Sequence, residues 1–77
     1  MNQPYQAIEH YRKALEINPN HSPTGATYYY LGTLEYSVGE YENASRNLSK
    51  YVQNKGAHPD YVNRSKQIIS DCAFAIE

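Results

Sequence analysis

The stretch Ala26–Val52 reads ATYYYLGTLEYSVGEYENASRNLSKYV and decides the fold. It divides at Val38–Glu40 into two amphipathic segments. Gly39 sits where the first helix should stop, because glycine accepts the left-handed conformation found just past a helix C-terminus. Beyond it, Tyr41, Ala44, Leu48, Tyr51 and Val52 recur every three to four residues, which places them on one helical face. Two small residues, Gly32 and Ala44, fall where neighbouring helices must approach closely. A tight helical hairpin is the expectation, with Gly32 and Ala44 facing each other across it.

Working outward, the segment before it is a further helix, over residues 4–17. Pro4 suits the first helical turn, where its missing N–H is no loss. Ala7, Ile8, Tyr11, Ala14 and Leu15 form one stripe. Asn18-Pro19-Asn20 ends the helix, since a residue before proline is pushed out of the helical region. On the other side, Asn54-Lys55-Gly56 closes the hairpin's second helix, with Gly56 expected as its cap. Pro59 then opens a last helix, over residues 59–77. Its apolar positions Tyr61, Ile68, Ile69, Cys72, Ala75 and Ile76 keep helical spacing.

The chain repeats itself. Thirty-seven residues separate Ala7 from Ala44, Tyr11 from Leu48 and Lys13 from Lys50. Residues 26–54 resemble a tetratricopeptide repeat (TPR). Leu31-Gly32 matches that family's first helix, and Gly39, Tyr41 and Ala44 match its turn and second helix. Ala7, Tyr11, Ala14 and Pro19 are similar to its second helix and the stop that follows. The family period is about 34 residues, and the three extra residues fall at Ser22-Pro23-Thr24. Two positions depart from the pattern: Glu35 replaces a buried aromatic, and Tyr51 replaces alanine.

The resemblance implies an all-α, TPR-like right-handed solenoid of about four antiparallel helices. It also implies that the single domain, residues 1–77, is a fragment beginning halfway through a repeat. The tail HPDYVNRSKQIISDCAFAIE, following YYYLGTLEYSVGEYENA, is similar to the TPR region of Bacteroidetes envelope proteins that carry a β-propeller and an OmpA-like domain. That narrower resemblance implies a periplasmic, outer-membrane-associated location. A complete chain with this N-terminus, lacking a signal-peptide core, would instead be cytoplasmic.

Composition excludes several classes of function. Lys and Arg number 7 against 8 Asp and Glu, a net charge of −1, so no basic field invites nucleic acid or an acidic membrane. No apolar run reaches transmembrane length. Cys72 is the one cysteine, so there is no disulfide framework. Of the aromatic residues, 9 are tyrosine and 1 is phenylalanine. Tyrosine joins an apolar ring to a polar tip and suits half-buried faces and binding surfaces.

Each chemical motif has a plain structural counterpart that outweighs it. Cys72 could be a nucleophile, but it lies in an apolar stripe and reads as a buried thiol. His10, His21 and His58 lack the paired spacing of a zinc site. Glu40 and Glu42 at a helix start are explained by the helix dipole. Asn20, Asn43, Asn47 and Asn63 each begin an Asn-x-Ser sequon, most of them on expected helices. Arg12, Lys13, Arg46, Lys50, Arg64 and Lys66 alternate with acids and read as solvated faces. No catalytic constellation, metal site or cofactor is expected.

What remains is a binding surface. The resemblance implies a concave groove lined by first helices, which here gives Ala26, Tyr29, Thr33, Tyr36 and Ser37. Tyr29 and Tyr36 read equally as ordinary helix-surface tyrosines. Tyr29, Thr33 and Ser37 do not match the Lys, Asn and Arg of the family's carboxylate clamp. The expected partner is a protein or peptide; the alternative is a spacer that positions neighbouring domains. The apolar stripe at Ile8, Tyr11 and Leu15, with Ile69 and Ile76, is expected to be exposed and to drive self-association.

Overall fold

The turn at Gly39 shows how local chemistry sets the architecture. Gly39 has φ of 86°. Its N–H donates to Tyr36 O at 3.2 Å, and the Glu40 N–H donates to Glu35 O at 2.9 Å. This pair of bonds is a Schellman motif, which closes the C-terminus of one helix while Glu40 becomes the N-cap of the next. Three residues therefore suffice to fold the chain back on itself.

The computed structural model describes residues 4–18 and 25–76. They form four helices: α1 (Pro4–Ile17), α2 (Ala26–Ser37), α3 (Tyr41–Val52) and α4 (Pro59–Ile76). No strand occurs among the described residues. Pro19 and the Ser22-Pro23-Thr24 insertion lie outside them.

Helix α2 is central: it packs on α1, α3 and α4, whereas α1 packs on α2 alone. The α2–α3 seam is as close as its small residues allow. A Cβ built on Gly32 would stand 2.5 Å from Leu48 Cγ and 3.3 Å from the Ala44 carbonyl oxygen. The partner of Gly32 is thus Leu48 first and the Ala44 backbone second. The main core joins Tyr29 of α2, Ala44, Leu48 and Tyr51 of α3, and Ile68 and Cys72 of α4. Burying each of the larger aliphatic side chains contributes about 1.5–3 kcal/mol. Ile8 of α1 and Leu31 of α2 are also buried, outside that cluster.

Three expectations are corrected. Ile8 is buried, and Tyr11 and Leu15 are half-buried, because α2 covers that stripe; the exposed apolar residues of α1 are Tyr5 and Ile17. Ile69 packs against the core, so the exposed large apolar side chains of α4 are Tyr61, Phe74 and Ile76. Gly56 does not cap α3, which ends at Val52 with Gln53 as its cap. Asn54 organises that loop instead: its Oδ1 accepts the Gly56 N–H at 2.8 Å. The same side chain packs on Gly25, the left-handed residue (φ 70°) that opens α2. Any Cβ at Gly25 would stand 2.8 Å from Asn54 Nδ2. The loop after α3 is thereby seated against the start of α2. Tyr51 continues the connection, since its buried hydroxyl accepts the His58 N–H at 3.0 Å, just before α4 begins.

Candidate functional site

The residues expected on one face of α2 divide into two groups. Tyr29 is only 8% exposed, stacked on Tyr61 at 4.8 Å between ring centroids and tilted against Tyr51 at 5.3 Å. Burial raises the pKa of its hydroxyl. Tyr29 is therefore a core residue, and its ring has little surface to offer a partner. The most exposed line of α2 is Ala26, Tyr30, Thr33 and Ser37, at helical spacings of four, three and four. Tyr30, 49% exposed, takes the place that Tyr29 was expected to hold.

Two depressions follow this line along α4. The first, of about 470 Å³, lies between Ala26 and Tyr30 of α2 and His58, Pro59 and Tyr61 at the start of α4. Its walls are aromatic, and Tyr61 is 46% exposed. The second, of about 300 Å³, is polar. Thr33 and Tyr36 of α2 face Arg64, Gln67, Ile68 and Asp71 of α4. Tyr61 and Arg64 are one turn apart on α4, as are Tyr30 and Thr33 on α2, so the two depressions follow one another along the α2–α4 seam. The Thr33 and Ser37 hydroxyls donate to Tyr30 O and Leu34 O of their own helix, which leaves their oxygens as acceptors. Tyr36 reaches Asp71 at a long 3.5 Å, and its pKa is raised by partial burial and by the Asp71 charge. No carboxylate pairs with Arg64 among the described residues. Ser37 lies at the far end of the line and lines neither depression.

Aromatic rings extend the surface toward α1. Tyr11 stacks on Tyr30 at 6.2 Å, Tyr30 meets Tyr29 edge-on at 5.9 Å, and His58 tilts against Tyr61 at 5.3 Å. Three helices thus contribute to one continuous aromatic band. Sequence reading missed Tyr30 and Tyr61. The signal for Tyr30 was its place in the Ala26–Thr33–Ser37 spacing.

On the opposite side of α2 lies a polar network centred on Glu35. This side chain is 1% exposed, where the TPR pattern has an aromatic. Arg12 of α1 donates to Glu35 Oε2 at 2.9 Å, and Asn47 of α3 donates to Oε1 at 2.6 Å. Arg12 also donates to Glu40 Oε1 at 2.8 Å, and Asn43 reaches the same oxygen at 3.1 Å. The hydrogen bonds from Arg12 and Asn43 lower the Glu40 pKa. Those to Glu35 and Glu40 raise that of Arg12. Arg12, expected on a solvated face, instead ties α1 to α2 and to the α3 cap.

The remaining sequence candidates take structural places. Cys72 is buried, and that burial raises its thiol pKa, which disfavours the reactive thiolate. His58 Nδ1 accepts the Asp60 N–H at 3.2 Å at the start of α4. No group of three or more metal-binding side chains occurs among the described residues. No described helix is long and apolar enough to cross a membrane. Gly32, Gly39 and Ala44 occupy the seam and turn as described above, and Leu31 is buried on α2. Tyr41 meets Tyr36 edge-on, and Ala7 and Ala14 are half-buried on α1. Comparison with known family patterns, with curated proteins and with solved structures found no match in any of the three.

Proposed function

We propose that this chain is a TPR-like helical-repeat module whose role is protein–protein contact, and that an extended peptide or partner loop lies in the groove between α2 and α4. The observation that carries the reading is the exposed aromatic pair Tyr30 and Tyr61, leading into a polar segment whose Arg64 meets no carboxylate among the described residues. Exposed tyrosines beside a cation supply large contact area at small entropic cost and are enriched where partners bind. The Gly32–Leu48 seam and the left-handed Gly39 support the helical-repeat part of the reading.

The test is a peptide-array screen followed by NMR titration of the best binder. Amide shifts should cluster along Tyr30–Ser37 and His58–Asp71. The Tyr30→Ala and Tyr61→Ala variants should each weaken binding about tenfold or more, with helical circular dichroism unchanged. Shifts confined to other faces, or unchanged binding in both variants, would defeat the proposal. Tyr29→Ala is expected to lower stability first, because its ring is in the core.

A second reading, a spacer between neighbouring domains of a larger envelope protein, is favoured by a different observation. Tyr5 and Ile17 on α1 and Phe74 and Ile76 on α4 are apolar and exposed on helices that flank α2 and α3. A spacer would bind no peptide in the array and would gain stability from flanking sequence. No enzymatic role is proposed: Cys72 is buried, and that burial disfavours its thiolate.

A further inference from the structure

The backbones of α1 and α3 do not pack against each other, and between them α2 forms the floor of a groove of about 350 Å³. Tyr28, Leu31 and Glu35 make that floor, on the side of α2 away from Tyr30. The α3 wall is Asn43, Arg46, Asn47 and Lys50, spaced so that all four share one helical face. Arg12, Leu15 and Glu16 make the α1 wall.

The two asparagines are oriented by their partners. Asn43 donates its amide nitrogen to Glu40, and Asn47 donates its own to Glu35. An ionised carboxylate only accepts hydrogen bonds, so each amide must turn its nitrogen to the glutamate. Each carbonyl oxygen then points elsewhere, and no donor reaches either of them among the described residues. Four residues apart, the two oxygens are separated by roughly 6 Å along the helix axis. Alternate N–H groups of an extended strand repeat at roughly 6.6 Å. The pair therefore matches the backbone of an extended peptide.

The charges select its side chains. The Arg12 cation is already balanced by Glu35 and Glu40. Arg46 and Lys50 form no ion pair among the described residues, and the Lys50 ammonium rests 5.5 Å from the Tyr28 ring centroid. Glu16, across the groove, disfavours a second acidic residue on that side. From these positions we infer a second binding site, for an extended acidic peptide segment of a partner protein. Backbone N–H groups donate to Asn43 and Asn47, a carboxylate side chain meets Arg46 and Lys50, and an apolar side chain lies against the half-buried Tyr28 and Leu15. This site is independent of the α2–α4 groove.

The test uses fluorescein-labelled peptides alternating acidic and aliphatic residues, read by fluorescence anisotropy at low salt. Binding is expected, and the Arg46→Glu/Lys50→Glu variant should weaken it about tenfold or more. That variant should instead take the matching peptide with lysine in place of each acid. Arg46→Glu alone, which keeps Lys50 over Tyr28, serves where the double variant loses helicity. Methylating alternate backbone nitrogens of the peptide should abolish binding, and Tyr61→Ala should leave it unchanged. Absence of binding, insensitivity to charge reversal at Arg46, or equal binding of the methylated peptide overturns the site. Tighter binding of a single-stranded oligonucleotide at the same two cations overturns the peptide assignment.

Discussion

Glu35 is the residue on which this fold differs most from an ordinary apolar helix pair. A buried carboxylate is tolerated only when its oxygens are bonded, and here Arg12 and Asn47 each take one. The Arg12 side chain is 46% exposed, so water shares part of its charge. Removing it by Arg12→Ala still leaves Glu35 uncompensated and should destabilise by about 2–3 kcal/mol in urea unfolding. Glu35→Leu removes the buried charge itself and should cost less than Arg12→Ala. The reverse order would mean that the network contributes net stability beyond shielding Glu35. Glu40 carries the pH dependence. Its folded pKa lies below the unfolded value, so its contribution is present above about pH 4.5 and is lost as the pH falls through the folded pKa. Acid unfolding followed by circular dichroism should therefore be less steep in Glu40→Gln. Cys72 should react with a thiol reagent slowly in buffer and rapidly in denaturant, because burial disfavours its thiolate.

At the scale of the helix, two glycines are needed for different reasons. Gly32→Ala would press a methyl group into Leu48, and overpacking of this kind costs about 1–3 kcal/mol, partly offset by the better helix propensity of alanine. Ala44→Leu meets the same fully packed seam and should lose a similar amount. Around Gly39 there is open space, so Gly39→Ala should cost only its left-handed strain, about 1 kcal/mol. Asparagine tolerates that conformation, so Gly39→Asn should fall closer to wild type in the same melting experiment. Equal losses for alanine and asparagine at Gly39 would point to a packing role there instead.

For the molecule as a whole, the unequal packing of its helices predicts unequal protection. Helix α1 rests on α2 alone, with Ile8 as its one fully buried side chain and Arg12 as its polar tie. Helix α3 is held between α2 and α4. Amide hydrogen exchange should show α1 opening at lower free energy than α3, and Arg12→Ala should widen the gap. Equal protection throughout would mean that the four helices open as one unit. The exposed Phe74 and Ile76 lie on α4, and Tyr5 and Ile17 on α1. Such side chains on so small a chain favour association. Sedimentation should shift with concentration, and Phe74→Glu with Ile76→Glu should return it to the monomer. A monomer at every concentration in the unmodified chain would count against these surfaces as contacts.

The sequence by itself determined the four helices, the turn at Gly39, the close seam at Gly32 and the burial of Cys72. Each is a local property, set by spacing, by proline and glycine geometry, or by an apolar stripe that must be covered. Tertiary structure alone decided which tyrosine of Tyr28-Tyr29-Tyr30 is buried. A step of one residue turns a helix by about 100°, and only the position of α4 sends Tyr29 inward and leaves Tyr30 outside. It likewise decided that Arg12 meets Glu35, 23 residues later, instead of solvent. The choice of Asn54 over Gly56 in the α3–α4 loop rested on where Gly25 comes to lie. The groove between α1 and α3 belongs to the same class, for its walls come from two helices that each pack on α2 and not on each other. Spacing specifies what a residue shares a face with; the packing of a distant helix specifies what that face meets.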